Sequence, residues 1–352
     1  MILDKFHNRI YTVYIDIYNV YTEVGAEGRV QYKEEYKMEQ KSLKPWHGIA
    51  VFAVVVAVLY FVCFPIQYKL GLIGVGITEL ILLGLGVGAA LVFKQDLKEV
   101  FPIKKPKLRE LLGVLVFWLG GFSLVVSVSG ATSVLFPQEM QEVTQGMNSI
   151  MTDGSVWLSL LIVSVMPAIC EEAVHRGFIL HTFKNVKKEW VVVVSMAVIF
   201  GIFHLTPIRF GITAVLGGCI TWVMLKTKNM VYPFLYHAFN NLFPVLVSFL
   251  GNALTKIIAD TTADGQAAVT TSTTTLESFG WLGKVSTLSV YLMGAITIIP
   301  LMFAGTVLMK KKEEKVASKH VAAVFIVAGV LFMLGIIGVF GSSLIITLQT
   351  LQ

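Results

Sequence analysis

Charge is what this sequence has least of. Of its 352 residues, 14% are Asp, Glu, Lys or Arg, against about 25% in an ordinary soluble domain. That shortage excludes a solvated surface around most of the chain. Cysteine is almost missing as well. Cys63, Cys170 and Cys219 all fall inside apolar runs and are not paired by spacing, which excludes a disulfide framework and a zinc knuckle. Buried, inert thiols are expected. No period-two alternation of apolar and polar residues points to an outer-membrane barrel. The opening MILDKFHNRIYTVYIDIYNV is charged throughout and lacks the unbroken apolar core of a cleavable signal. The first apolar run is expected to act as an uncleaved insertion signal.

Apolar residues are abundant, at 55% of the chain, and they come in blocks of the roughly 20 residues that span a bilayer. Nine spans are expected: 46–64, 70–93, 112–136, 155–175, 190–205, 211–225, 231–250, 285–309 and 321–348. The fold class is therefore all-α, a polytopic transmembrane helical bundle of about nine membrane helices. The basic residues orient it. With the N-terminus cytoplasmic, only Lys69, Arg209, Lys256 and Lys284 fall outside, and Arg176 lies within a span. The rest of the 28 Lys and Arg lie inside, as the positive-inside rule requires. The net charge of +6 is thus a topology signal. Nucleic acid drops out as a partner and the lipid bilayer enters as one.

Residues 1–45 read as a cytoplasmic N-terminal segment, too small for a sizeable core. The transmembrane domain covers 46–350. Within it, 94–110 is a basic cytoplasmic loop, of a kind that often lies against anionic lipid heads. The loop 137–154 has acids and no base, which suits the outside, and 251–284 is Thr-rich and expected to be a flexible extracytoplasmic loop. Spans one to three and eight to nine are nearly free of ionisable groups, with Glu79 as the exception. The polar residues gather on spans four to seven, as expected of a membrane active site or permeation path.

Span four carries Glu171, Glu172, His175 and Arg176. Helix geometry puts Glu172 and Arg176 on one face at i, i+4, acid first, so they read as a structural ion pair. Glu171 points about 100° away and is left for chemistry; its own i+4 neighbour is His175. Span five places Phe200 and His204 on one face, with Phe200 read as a packing wall. Span seven does the same for His237 and Asn241, which could hold an oxyanion. The metalloprotease pattern HExxH, the GxGD pattern and GxSxG are all absent. No Ser, Cys or Thr sits beside a base, so water is the natural nucleophile, with Glu171 taking its proton and His204 helping. Alternatively Glu171, His204 and His237 could ligate a divalent metal such as zinc, and the sequence leaves that choice open.

EEAVHR, FGIFH and HAFNN, in this order on successive spans, resemble the motifs of the CPBP family of CAAX proteases and bacteriocin-processing enzymes, also called Abi. The likeness covers roughly 155–250. It implies an intramembrane endopeptidase acting on peptide or prenylated, hydrophobic protein substrates. It implies Glu171 as catalytic base, with His204, His237 and Asn241 completing the site, and Glu172 and Arg176 as supports. His175 departs from the family, which commonly has an aromatic there. A prokaryotic cell membrane is the expected setting. The competing classes are a transporter using the same residues as a proton or ion relay and a non-catalytic bacteriocin-immunity or interaction protein.

Overall fold

The structure is a computed structural model and describes residues 42–261, 280–310 and 318–350. The N-terminal segment expected at 1–45 lies outside the described residues as far as Lys41. Residues 262–279 of the Thr-rich loop lie outside them too. Among the described residues every regular element is a helix, so the all-α polytopic bundle is borne out. Seven of these helices are long and apolar enough to cross a membrane, not nine.

Two local features explain the difference. The runs at 46–64 and 70–93 belong to one helical element, α1 (Pro45–Val92), which folds back on itself at Gly71. There φ is 52° and ψ is −131°, a conformation open essentially to glycine alone. The rings of His47 and Phe93 end up edge-on with centroids 5.5 Å apart; a straight helix would hold them roughly 70 Å apart. Gly74 lies against the backbone of Gln67, and at the bend the Leu72 N–H donates to Asp153, which lies between α3 and α4 in the chain (3.4 Å). The expected span at 190–205 is the second case. It forms a helix of 15 residues, Glu189–Phe203, about 22 Å long against a hydrocarbon core of about 30 Å.

Short helical turns at 97–100 and 207–209 aside, the remaining elements follow in order. They are α2 (Leu108–Leu135), α3 (Pro137–Met151), α4 (Val156–Thr182), α5 (Glu189–Phe203), α6 (Phe210–Thr227), α7 (Val231–Thr261), α8 (Gly280–Met309) and α9 (Ser318–Thr350). The expected loop at 137–154 is thus mostly helical, and α7 carries helix on through 251–261. Glycines set the close approaches. Gly113 and Gly120 of α2 and Gly305 of α8 leave no room for a Cβ against the facing backbone, as small residues do where membrane helices pack tightly.

Two apolar cores hold the bundle. One joins α1, α4 and α5 through Phe52, Leu82, Val174, Phe178 and Met196. The other joins α2, α5, α6 and α7 through Phe117, Phe200, Ile220 and Tyr236. Helix α4 runs beside both, and the polar residues sit where they meet. All three cysteines are buried and free.

Candidate active site

Helix α4 changes pitch around the polar residues. Its stretches Leu160–Val165 and Ala173–Ile179 are π-helical, flanking an α-helical Met166–Glu172. Such bulges often mark functional sites. Pro167 has no N–H to offer the Val163 carbonyl four residues back. Asn241 of α7 donates to that carbonyl at 3.1 Å. The Ser164 hydroxyl adds a second link, to the Ala238 carbonyl (2.7 Å). The break in α4 is therefore where α7 is fastened to it.

Glu172 is the centre of the polar cluster. Its Oε1 accepts from Arg176 Nη1 at 2.8 Å, the i, i+4 pair expected from the sequence. The same oxygen accepts from His237 Nδ1 at 2.9 Å. Arg176 Nη2 donates to the Gly217 carbonyl of α6 (2.6 Å), so one carboxylate and one guanidinium tie α4, α6 and α7 together. The Glu172 and Arg176 side chains are both 0% exposed. A pair this deep holds its charge only because each partner satisfies the other. The link from Glu172 to His237 was not readable from the sequence, since no spacing rule connects residues on different helices.

With Nδ1–H committed to Glu172, the other ring nitrogen of His237 faces Glu171, with Nε2 and Oε2 4.0 Å apart. That is beyond hydrogen-bond reach. Glu171 Oε2 is buried and has no protein partner. Arg176 thus bonds Glu172 and not Glu171, and the Oε2 of Glu171 faces His237 instead.

Phe200, itself fully buried, is the hub around which the other groups stand. The Arg176 guanidinium lies 4.6 Å over its ring, a cation–π contact. The rings of His175 and His204 lie 5.0 Å away, and that of His237 lies 5.8 Å away. Straight helices would have put His204 and His237 about 12 Å apart in depth; both in fact touch one ring. Gly217 makes this possible, since a Cβ there would fall 2.5 Å from Phe200 Cβ. His204 Nδ1–H donates to the Phe200 carbonyl (2.9 Å), which leaves its Nε2 uncommitted.

His175 behaves as an aromatic. It is fully buried and stands edge-on to Phe200 and to Phe203, 4.6 Å away. Its Nδ1–H donates to the main-chain carbonyl of Glu171 (2.7 Å), not to the carboxylate, and its Nε2 has no partner. The metal alternative fits less well. Among the described residues no group of three His, Cys, Asp or Glu side chains is placed to hold a metal ion, the trio of Glu171, His204 and His237 included.

These features define a multi-pass membrane protein with a carboxylate–imidazole cluster buried in its bundle. Residues 153–243 match the family described as Rce1-like, type II CAAX prenyl endopeptidase, and so bear out the resemblance seen in the motifs. That segment contains every residue of the cluster, so it is there that the chain is similar to CAAX prenyl endopeptidases. No curated protein and no solved structure matches the chain.

Proposed function

We propose that the protein is an intramembrane endopeptidase that hydrolyses peptide or prenylated, hydrophobic protein substrates close to the bilayer, using water activated by Glu171. One observation carries this reading. The unpartnered carboxylate oxygen of Glu171 faces His237 Nε2 across 4.0 Å, while Glu172 fixes the orientation of that imidazole through Nδ1.

The chemistry follows from those positions. A single bent water can hydrogen-bond to both Glu171 and His237 across the gap. Glu171 takes one proton as the water oxygen attacks the scissile carbonyl, and returns it to the leaving amine when the C–N bond breaks. His237 Nε2, bare while its proton sits at Nδ1, accepts the water's other hydrogen bond, and His204 Nε2, bare in the neutral ring as well, is a second acceptor for that hydrogen as the water turns to attack. Asn241 spends one N–H on Val163 and has a second for the developing oxyanion. Glu172 and Arg176 act through His237, holding its ring and its proton at Nδ1.

The test is cleavage of a fluorogenic prenylated peptide, and of its unprenylated counterpart, by the purified chain in proteoliposomes. Glu171→Gln is expected to lower the turnover by about 10²–10⁴-fold, the usual worth of a general base, with thermal unfolding unchanged. Full cleavage by a well-folded Glu171→Gln protein would overturn the reading.

A further inference from the structure

A second polar feature lies away from Glu171. The basic loops meet at one end of the bundle. The Lys104 backbone and the Asn229 side chain exchange two hydrogen bonds of 3.0 Å, the Met230 N–H donates to the Pro102 carbonyl (2.8 Å), and Phe101 sits against Gly177. The loop after the first hairpin is thereby strapped over the ends of α4 and α6. Beneath it is a cavity of about 480 Å³, within the 300–1,000 Å³ or so of small-ligand sites.

Its lining is amphipathic. Lys98, Lys104, Lys184 and Lys228 stand around it, all exposed. Leu180, Phe183, Val192 and Met224 give it an apolar floor. Two carboxylates, Glu99 and Glu189, also line it, but Glu189 is engaged by Lys226 at 2.6 Å, so cations prevail. The inner wall includes Arg176. That guanidinium gives its two terminal nitrogens to Glu172 and Gly217, and its buried Nε–H has no partner.

We propose that this cavity binds the anionic headgroup of a phospholipid from the leaflet at the basic end of the bundle. The lysines take the phosphate, and the apolar floor takes the start of the acyl chains. A phospholipid supplies a negative head and an apolar tail together. A free anion leaves the floor bare, and a zwitterionic lipid leaves the lysine excess uncompensated. The inference does not depend on the peptidase reading, because lipid binding is measured without turnover.

The full chain is reconstituted in vesicles of phosphatidylcholine alone or with a minor share of phosphatidylglycerol, extracted gently, and assayed for retained lipid by native mass spectrometry and for thermal stability. Phosphatidylglycerol is expected to be retained preferentially and to raise the melting temperature. Replacing Lys98, Lys104, Lys184 and Lys228 by Gln should weaken retention by about fivefold for each lysine, the usual worth of a basic side chain near anionic lipid. Replacing Lys105, Lys187 and Lys188, which stand in the same loops but do not line the cavity, should leave retention unchanged. If the fourfold variant does not fold, the pair Lys184→Gln and Lys228→Gln serves instead. Equal retention of both lipids overturns the proposal, as does equal loss in the two lysine sets. Stabilisation by inorganic phosphate as large as by phosphatidylglycerol overturns it too, marking a free-anion site.

Discussion

His237 Nδ1 and Glu172 Oε1 are 2.9 Å apart, and the same oxygen receives Arg176 Nη1 at 2.8 Å. A single buried atom therefore fixes the imidazole of α7 and the guanidinium of α4, and through Arg176 reaches α6. Glu172 is consequently more than a brace. It decides which nitrogen of His237 carries a proton and which one faces Glu171.

Glu172→Gln tests that coupling. The change keeps the size of the side chain but leaves Arg176 buried without a counter-charge. Removing one partner of a buried pair costs about 3–5 kcal/mol, so the melting temperature should fall sharply. Where the variant still folds, peptide cleavage should drop by about 10²–10⁴-fold, because the proton on His237 is no longer held at Nδ1. Wild-type stability would mean that Arg176 has found another acceptor.

The parts of this site that were legible in the sequence are those governed by local geometry. Glu172 with Arg176 follows from i, i+4 spacing on a helix, and the isolation of Glu171 follows from the same rule. Phe200 was legible as a wall but not as a hub, because its neighbours come from α4, α5 and α7. The sequence offers Asn241 as an oxyanion group, but its bond to Val163 depends on Pro167 having opened a carbonyl on another helix. Hydropathy found both limbs of α1 as separate segments, but no apolar pattern encodes the reversal that joins them, which rests on the φ of Gly71. The segment expected at 190–205 is α5 itself, Glu189–Phe203, and only its short length sets it apart from the full spans.

His175→Phe separates two roles for the one residue that the family resemblance left unassigned. The ring is enclosed by Phe200 and Phe203, and its Nε2 has no partner. A phenyl ring fills the same space without burying an unsatisfied nitrogen, a gain of about 1–2 kcal/mol against the lost bond to the Glu171 carbonyl. The variant should be at least as stable as the parent in thermal unfolding and should cleave peptide at a similar rate. A large fall in turnover with intact folding would make His175 part of the chemistry.

Gly71→Ala bears on the hairpin. A Cβ at this position would lie 2.6 Å from Asp153 Oδ2, and the backbone angles of 52° and −131° disfavour any side chain by about 1–3 kcal/mol. The variant should lose stability by at least that amount. Cysteine crosslinking between positions 47 and 93, introduced into a chain whose three native cysteines are replaced, should become less efficient as the limbs separate. Undiminished crosslinking would show that the reversal does not depend on glycine.

Glu79 is the carboxyl that composition singled out and that no pairing explains. It is 4% exposed on the second limb of α1, and its Oε2 has no partner. On either side of it, Gly76 faces Ile162 and Gly86 meets the backbone of Ala173, so this face of α1 is pressed onto α4. Burying a polar group without a hydrogen bond costs about 1–3 kcal/mol in proteins. Glu79→Leu, close in volume, should therefore raise the melting temperature. If cleavage falls while stability rises, the carboxyl is retained for function at the expense of the fold, the trade expected near active sites. A fall in stability would instead reveal a partner for Glu79 that the helix packing does not supply.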